Sequence, residues 1–453
     1  MLIKNREKLL EISNSKTREL RRVMLDILEI ALQSIQVPRL ISRSLIFNKI
    51  PNLDDYNNLY VLGFGKASGG MAEQIEKILG IDSITNGIII VPRNIKQTIN
   101  IQKIKILEAD HPIPSNTNIE SANQFLKIIE EIPKQNSLII ILISGGGSAL
   151  LTSPCEGIKL RDVQKITQLL LKCGADIREF NIVRKHIDKF KGGKLVKKLY
   201  PANIISLLIS DVGKYPPEFI ASGPTYPDIS TYQDTINILK KYNIFEETPP
   251  SIKEHFKKVL SGEIQENPKE DDLCFSNTEN FVVGSLKNGC KAVFDYANKQ
   301  NITPYIYPNF IEGESRDIGK KLVEFANEIY TSAPKIQRPL LIIAGGETTV
   351  TIKGSGKGGR CQELILGAMK KLENFDQAVM VAIGTDGIDG NSDAAGTIID
   401  NNSLSVANKM GLKVEDYLNN NDSYSFFKKL GHNLIFTGPT GTNVSDLVLL
   451  LLN

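Results

Sequence analysis

The chain has few of the residues that mark disulfide-rich or zinc-binding proteins. Its 453 residues include only five cysteines, which are dispersed and form no Cys-X-X-Cys pair, and only four histidines. The histidines form neither a His-X-X-X-His nor a His-Glu-X-X-His pattern. These absences argue against a disulfide framework and a zinc site, and they indicate reduced thiols in a cytoplasmic protein.

Long apolar runs and an excess of one charge are also missing. The longest apolar runs, such as 138–143 and 204–209, have the length of a strand rather than of a membrane span. The N-terminus leads into a charged amphipathic stretch and has no signal-peptide core. The 54 basic and 51 acidic residues leave a net charge of +3. We therefore expect a cytoplasmic protein with neither nucleic acid nor a membrane as its main partner.

Short apolar runs that alternate with helical segments predict an α/β protein. Near-continuous apolar strands separated by helices are typical of parallel strands covered on both faces. The first predicted helix spans about Thr17 to Ile35. The candidate strands are Leu59–Gly65, Gly87–Val91, Ile104–Ala109, Leu138–Ser144, Ile204–Ser210, Phe281–Gly284, Pro304–Tyr307, Leu340–Ala344, Ala378–Ile383 and Leu434–Thr437. The polar stretch Leu260–Asp272 predicts a boundary between domains 1–260 and 273–453, because one core rarely supports so long a chain.

Glycine-rich turns follow two of the candidate strands. The turn Gly145-Gly146-Gly147-Ser148 precedes a helical segment, where backbone amides could approach a phosphate or carboxylate. A plain tight turn explains the glycines equally well. The similar Gly345-Gly346-Glu347-Thr348 suggests two domains that face each other across a cleft, although strand-to-helix turns often need glycine.

Lys66 also follows a candidate strand, in the sequence Gly63-Phe64-Gly65-Lys66. A lysine beside backbone amides can neutralise phosphate charge during transfer. A solvated lysine in the first turn of a helix is the usual alternative, but a lysine is unfavourable near the positive end of a helix, which suggests a bound anion. The segment nearly matches the dinucleotide pattern G-X-G-X-X-G, but Ser68 occupies the third glycine position. The next strand runs into Pro92 and Arg93 instead of an acidic residue. Both departures disfavour a nicotinamide cofactor.

Asp211 and Arg360 are two further charged candidates. Asp211 follows the strand that ends near Ser210, so it could orient or deprotonate a hydroxyl, contact Mg²⁺, or simply cap a turn. Arg360 ends a glycine-rich loop and offers a planar fork for carboxylate or phosphate. No G-X-X-X-X-G-K-[ST] sequence occurs, which disfavours a P-loop kinase. His111 lies in the rigid turn Asp110–Pro114 after a strand and could reach the cleft, although we favour a structural role.

A basic segment and an acidic loop complete the candidates. Arg184 and Lys185 could hold an anionic substrate, whereas the later lysines of that segment, Lys189, Lys191 and Lys194, are interpreted as a solvated face. The loop Gly384–Gly396 has several aspartates, but Ile388 stands where a calcium loop needs an oxygen ligand. Its best candidate for contact with Mg·ATP or a substrate is Asp386.

These segments, in this order, resemble the glycerate 2-kinase family, whose members carry a C-terminal MOFRL domain. The resemblance spans nearly the whole chain. It rests on Gly63-Phe-Gly-Lys-Ala67, Asp110-His-Pro-Ile-Pro114, Leu142–Leu151, Asn181-Ile-Val-Arg-Lys-His186, Ile209-Ser-Asp-Val212, Ser222-Gly-Pro-Thr225, Gly345–Val350, Gly358-Gly-Arg-Cys-Gln-Glu363, Gly384–Gly390 and Thr437–Val444. It implies two α/β domains that flank a deep cleft, the N-terminal one Rossmann-like with a parallel sheet. For the C-terminal domain we expect a mixed sheet.

The resemblance also implies an activity and a set of site residues. The activity is transfer of the ATP γ-phosphate to the 2-hydroxyl of D-glycerate, with Mg²⁺ or another divalent cation and with unassigned metal ligands. Lys66, Asp211 and Arg360 would be catalytic. The nucleotide would lie at Gly145, Gly146, Gly147, Ser148, Gly345, Gly346 and Glu347. The substrate would lie at Ser144, Arg184, Lys185 and Asp386.

Departures from the family pattern and two other functions stay open. Cys361 stands where an Asn is expected, and Val212-Gly213-Lys214 replaces a more acidic turn, which puts a metal role just after Asp211 in doubt. Some family members carry the label hydroxypyruvate reductase, which would require NAD(P)H. A non-catalytic sensor of sugar acids or nucleotides is the third interpretation. The oligomeric state is also open, with a homodimer as one option.

Overall fold

The computed structural model describes residues 1–43, 52–93, 95–332 and 338–453, which form two compact units. The central unit is Ile41–Val283, and the terminal unit combines Met1–Leu40 with Gly284–Asn453. These ranges differ from the predicted domains 1–260 and 273–453. The first forty residues pack with the C-terminal part of the chain, and the polar stretch after Leu260 lies inside the central unit.

The described residues form twelve strands and seventeen α-helices. The strands are β1 (Asn58–Phe64), β2 (Asn86–Pro92), β3 (Ile104–Ala109), β4 (Ser137–Ile143), β5 (Asn203–Ile209), β6 (Thr278–Gly284), β7 (Thr303–Ile306), β8 (Leu340–Gly346), β9 (Ala378–Gly384), β10 (Gly396–Asp400), β11 (Leu434–Ile435) and β12 (Asp446–Leu452). The helices are α1 (Arg6–Leu9), α2 (Ser15–Ser34), α3 (Val37–Arg43), α4 (Ser68–Leu79), α5 (Asn116–Glu131), α6 (Gly147–Leu150), α7 (Leu160–Lys172), α8 (Ile177–His186), α9 (Lys194–Leu199), α10 (Tyr232–Lys241), α11 (Pro250–Leu260), α12 (Leu286–Lys299), α13 (Ser315–Ser332), α14 (Arg360–Leu372), α15 (Ser403–Lys409), α16 (Val414–Asn419) and α17 (Ser423–Leu430).

The central unit is built on a six-stranded parallel sheet in the order β3-β2-β1-β4-β5-β6. Strand β4 is buried along its whole length, as expected for an apolar strand covered on both faces. Phe64, the last residue of β1, pairs with Ile143, the last residue of β4. The connection order reverses between β1 and β4, and such a switch point is where open α/β sheets bind ligands. The residues after β1 and β4 therefore meet at the place where a site is expected.

The terminal unit is built on a mixed six-stranded sheet in the order β11-β10-β9-β12-β8-β7. Strand β12 runs antiparallel to both β8 and β9, and its first residue, Asp446, pairs with Gly346 and with Gly384. The α/β class, with one Rossmann-like parallel sheet and one mixed sheet, is thus confirmed. All ten candidate strands overlap a strand of the structure, whereas β10 and β12 were not predicted.

The long helix α2 explains why the N-terminus belongs to the terminal unit. Its apolar side is buried, and it packs on α12 and β9. The buried Arg21 forms an ion pair with Asp400, with Nη2 at 2.6 Å from Oδ2, and donates to the carbonyl oxygens of Leu9 and His432. A buried charge needs such a complete set of partners.

No helix in the described ranges is both long enough and apolar enough to cross a membrane.

Candidate active site

Two turns meet at the switch point of the parallel sheet. The amide of Lys66, after β1, donates to the carbonyl oxygen of Gly145, after β4, over 2.9 Å. The amide of Ala67 donates to Oγ of the buried Ser144, also over 2.9 Å. Ser144, a predicted substrate residue, thus holds the two turns together.

The glycines of the Gly145–Gly147 turn are enclosed by candidate side chains. A Cβ on Gly145 would collide with the carboxylate of Asp211, which follows β5. Gly146 has a φ of +80°, and a Cβ there would lie 3.0 Å from Cδ2 of His111 and 3.3 Å from Cγ of Lys66. Asp211, His111 and Lys66 therefore converge on one turn.

The same turn presents two backbone donors. Among the described residues, the amides of Gly145 and Gly146 donate to no backbone carbonyl. Successive backbone amides in a turn with one left-handed residue form a concavity suited to an anion. Ser148, which follows, places Oγ 2.9 Å from Oγ of Ser222, which in turn donates to Asn181.

Arg184, whose charge acts on His111, has no hydrogen-bond acceptor among the described residues. Its guanidinium lies over the ring of Phe180, with Cζ 4.3 Å from the ring centroid, and it makes no hydrogen bond or salt bridge with any described residue. Burial lowers the pKa of Arg184 to about 10, while the charge of Asp188 acts in the opposite direction. A half-buried guanidinium without an acceptor is costly, and a carboxylate or phosphate would offset that cost.

His111 belongs to this cluster, although we predicted a structural role for it. Desolvation, the charge of Lys66 and the charge of Arg184 lower the pKa of the imidazole to about 4. His111 is therefore neutral near pH 7. The signal in the sequence was its place two residues after the end of β3, in the same position as the other residues that follow strand ends.

Three other lysines of the basic segment have partners within the protein. Lys185, a predicted substrate residue, extends to the buried Asp228, with Nζ 3.4 Å from Oδ1. Lys191 is buried and paired with Asp188, with Nζ 2.6 Å from Oδ2. Lys194 donates to Asn267. The interpretation of these later lysines as a solvated face is wrong for Lys191, because the chain folds its ammonium group onto Asp188.

Arg360, the candidate in the terminal unit, already has carboxylate partners. Its Nε and Nη2 contact the two oxygens of Asp446 at 2.5 and 2.9 Å, and Nη1 lies 2.9 Å from Oε1 of Glu347. Burial raises the pKa of the Asp446 carboxyl, and the bidentate contact with Arg360 opposes that rise. The Arg360 guanidinium, which we predicted to bind a substrate, therefore binds Asp446 instead. The signal that sequence reasoning missed was an aspartate directly before the apolar run Leu447–Leu452.

The acidic loop after β9 supports helix α14. Asp389 accepts hydrogen bonds from the backbone amides of Cys361 and Gln362, at 3.1 and 2.9 Å, and burial raises its pKa to about 6. Asp386 is half-buried, and its Oδ1 accepts from the amide of Ile388 at 3.2 Å. The loop thus closes on itself and caps α14, with Asp386 at the end of β9.

Packing explains the glycines of the Gly345-Gly346-Glu347 turn, for which we predicted a nucleotide role. A Cβ on Gly346 would collide with the carbonyl oxygen of Ile311, and one on Gly345 would collide with Leu286. The amide of Glu347 donates to Ile311 as well. In contrast to Gly145 and Gly146, the Glu347 amide already has a protein acceptor.

A cavity of about 780 Å³ lies beside Arg360 within the terminal unit. Glu347, Glu363 and the glycine-rich loop 354–359 line it. The loop amides are held by side chains, since Gly354 donates to Asn421 and Gly358 donates to Asn391. The cavity is large enough for a nucleotide-sized ligand.

Within the described residues, no three acidic, histidine or cysteine side chains are grouped so as to hold a metal ion.

Two domain families match the chain. Residues 23–257 match the family described as a domain of unknown function (DUF4147), and residues 340–446 match the MOFRL family. A protein of Pyrococcus horikoshii named glycerate 2-kinase is 42% identical over 392 residues, which are 86% of each chain. The chain belongs to the glycerate 2-kinase family.

Two further relatives bear on fold and function. The crystal structure of a glycerate kinase from Thermotoga maritima superposes with a TM-score of 0.85 at 33% identity, covering 96% of this chain and all of that one. A protein of Agrobacterium vitis named putative hydroxypyruvate reductase is 33% identical over 92% of this chain and 94% of its own length. The family therefore carries two names for its activity.

Proposed function

We propose that this protein is an ATP-dependent glycerate 2-kinase, which phosphorylates D-glycerate at its 2-hydroxyl and releases ADP and 2-phosphoglycerate. The observation that carries the proposal is the convergence of Lys66, His111 and Asp211 on one glycine turn at the sheet's switch point, with Arg184 close enough for its charge to lower the pKa of His111. The 42% identity to a protein named glycerate 2-kinase supports the same activity.

Arg184 would bind the carboxylate of glycerate. Its guanidinium is half-buried and has no acceptor among the described residues. A hydrogen bond to a charged group contributes about 1.5–3 kcal/mol, so this contact would account for much of the affinity for a small acid. The amides of Gly145 and Gly146 are the second set of donors for an anion, either this carboxylate or a phosphate of ATP.

Asp211 and Lys66 would carry the chemical step. The bond between the glycerate 2-oxygen and the γ-phosphorus forms while the bond from that phosphorus to the β–γ bridging oxygen breaks. The hydroxyl proton passes to the Asp211 carboxylate, and ADP leaves. Lys66 would stabilise the charge on the transferring group. Neutral His111 can hydrogen-bond the substrate without adding a third positive charge.

Within the terminal unit, Arg360 is the group that would bind a phosphate or a carboxylate. A guanidinium has five N–H donors, and Asp446 and Glu347 occupy three of them. Its side chain keeps about a third of its surface exposed (34%) and borders the 780 Å³ cavity. Mg²⁺ would arrive with ATP, because this ion is usually held by phosphates and one or two carboxylates. Within the terminal unit, Asp386, which follows β9, is the carboxylate that would contact the ion.

The geometry argues against the reductase alternative. Ser68, at the third position of the dinucleotide pattern, donates through its hydroxyl to the carbonyl oxygen of Gly65 at 2.8 Å. At the end of β2, where a ribose-binding carboxylate is expected, Arg93 is paired with Asp110, with Nη2 3.0 Å from Oδ2.

One pair of assays separates the alternatives. Purified protein is incubated with D-glycerate and Mg·ATP, and separately with hydroxypyruvate and NADH. We expect ADP and 2-phosphoglycerate, the latter identified by ³¹P NMR against a 3-phosphoglycerate standard. Oxidation of NADH without formation of ADP would refute the kinase proposal, and inactivity in both assays would favour a sensor.

A further inference from the structure

A second cavity, of about 270 Å³, lies within the central unit beside the proposed glycerate site. Arg184 and Ser148 line it, with the turn 112–114 on one side and helix α7 on another. The cavity thus shares the guanidinium that would hold the substrate carboxylate. A substrate bound to Arg184 would border this space.

The cavity is larger than glycerate needs. At about 270 Å³, the cavity has room for several water molecules in addition to part of a small acid. Glycerate on Arg184 must also bring its 2-hydroxyl to Asp211, and only part of the molecule can then extend into the cavity. Most of the space would stay filled with water.

The wall formed by α7 is suited to hydroxyl groups. Gln164 donates its amide nitrogen to the carbonyl oxygen of Pro114 at 2.8 Å, which orients its side-chain oxygen as an acceptor. Thr167 and Gln168 also line the cavity, and their side chains make no hydrogen bond with any described residue. Val163 and Ile187 supply apolar surface between these polar groups.

We propose that this cavity accepts the carbon chain beyond C3 of longer 2-hydroxy acids, so that the protein also phosphorylates four-carbon aldonic acids. The carboxylate would stay on Arg184 and the 2-hydroxyl at Asp211, while the hydroxyl on C4 reaches Gln164 and Thr167. The step is the same transfer, with the 2-oxygen–phosphorus bond formed, ADP released and the proton passed to Asp211. This inference rests on the proposed kinase function.

The test compares D-glycerate with D-erythronate and L-threonate, which share its configuration at C2. We expect at least one four-carbon acid to yield ADP and a 2-phosphate ester, with kcat/KM no lower than about one hundredth of that for glycerate. Turnover of glycerate alone would overturn this inference and leave the kinase function intact. Absence of turnover with all three acids would overturn both.

Two substitutions at Thr167 test the location. Thr167→Phe fills the cavity, and it should lower kcat/KM for the four-carbon acid at least about tenfold while glycerate stays within about threefold. Thr167→Val keeps the volume and removes only the hydroxyl, so its effect should be smaller. Lys165→Phe is the matched control, because Lys165 is exposed on the same helix and lies outside the cavity lining.

The ratio between substrates is the readout that a folding defect would not change. An equal loss of both activities in Thr167→Phe would overturn the location, provided that the melting temperature matches that of Lys165→Phe. An unchanged kcat/KM for the four-carbon acid in Thr167→Phe would also overturn the proposed location.

Discussion

In the terminal unit, charged side chains at strand ends bind one another, whereas in the central unit Arg184 has no acceptor among the described residues. Arg360 is held by Asp446 and Glu347. Arg184 is also half-buried, but it lies over Phe180 and faces a cavity. The same side-chain type therefore meets opposite electrostatic conditions in the two units.

This difference distinguishes side chains that stabilise the folded protein from side chains that are available to bind a ligand. Removing one member of a buried pair leaves a charge without compensation and destabilises the protein. Removing a cation that has no hydrogen-bond acceptor in the protein lowers affinity for its ligand and costs little stability. Activity should therefore be sensitive to changes at Arg184, and stability to changes at Asp446.

The largest effect should come from the proposed chemical groups. Asp211→Asn and Lys66→Ala should each reduce kcat for glycerate phosphorylation at least about a hundredfold, the usual scale for a general base or an electrostatic stabiliser. Steady-state assays of ADP formation measure this effect. Lys165→Ala, on an exposed helix face, is the control and should retain wild-type turnover. Near-normal turnover in either variant would remove that residue from the mechanism.

The next largest effect concerns stability in the terminal unit. Asp446→Ala should lower the free energy of unfolding by about 2–3 kcal/mol, less than the 3–5 kcal/mol typical of fully buried pairs because Arg360 is 34% exposed. Urea unfolding followed by circular dichroism measures the loss. Glu347→Gln is the matched control. It breaks only the contact with a half-exposed carboxylate and should cost less than about 1 kcal/mol. An equal loss of unfolding free energy in the two variants would contradict the larger contribution of Asp446 to stability.

Substitution of Arg184 should weaken substrate binding and leave the stability of the protein unchanged, the reverse of the effect expected at Asp446. Arg184→Leu should raise KM for D-glycerate by about 10–100-fold through loss of a charged hydrogen bond, and it should not lower the melting temperature. Arg184→Lys should recover part of the affinity, since it keeps the charge without the planar fork. Initial rates over a range of glycerate concentrations separate KM from kcat. A destabilised Arg184→Leu variant with an unchanged KM would reverse the assignment.

The smallest effect is the titration of His111. Its pKa of about 4 lies below the value of about 6.5 for a free histidine, so the unfolded chain binds the proton more tightly. Stability should therefore fall as the pH is lowered from about 6.5 to about 4, and His111→Gln should lose less in that window. NMR titration of the imidazole protons measures the pKa, with His111→Gln used to assign the signal. Lys66→Met should raise the pKa of His111. A His111 pKa near 6.5 in the wild type would contradict the burial and the cationic surroundings of the imidazole.

Local sequence patterns predicted much of the fold. Runs such as Leu138–Ser144 became buried strands within one residue of the predicted bounds, because continuous apolar sequence needs cover on both faces. The turns with Lys66, Gly145 and Asp211 were placed correctly at strand ends. Strand β12 was missed although it is wholly apolar after Asp446.

Partners that are distant in sequence could not be predicted. Arg360 and Asp446 meet because β12 returns antiparallel between β8 and β9. His111 meets Lys66 because the loop after β3 crosses toward β1. Lys185 and Arg184 are neighbours on α8, yet only Arg184 lines the cavity, since adjacent helical residues point in different directions.

By itself, the sequence determined ten of the twelve strands, the glycine turns, the family and the residue types that suit phosphoryl transfer, because these depend on local patterning and on the order of motifs. Tertiary structure alone decided which charges are paired and which stay open to a ligand. That outcome depends on strand order and register, which bring Asp446 to Arg360 and leave Arg184 facing a cavity.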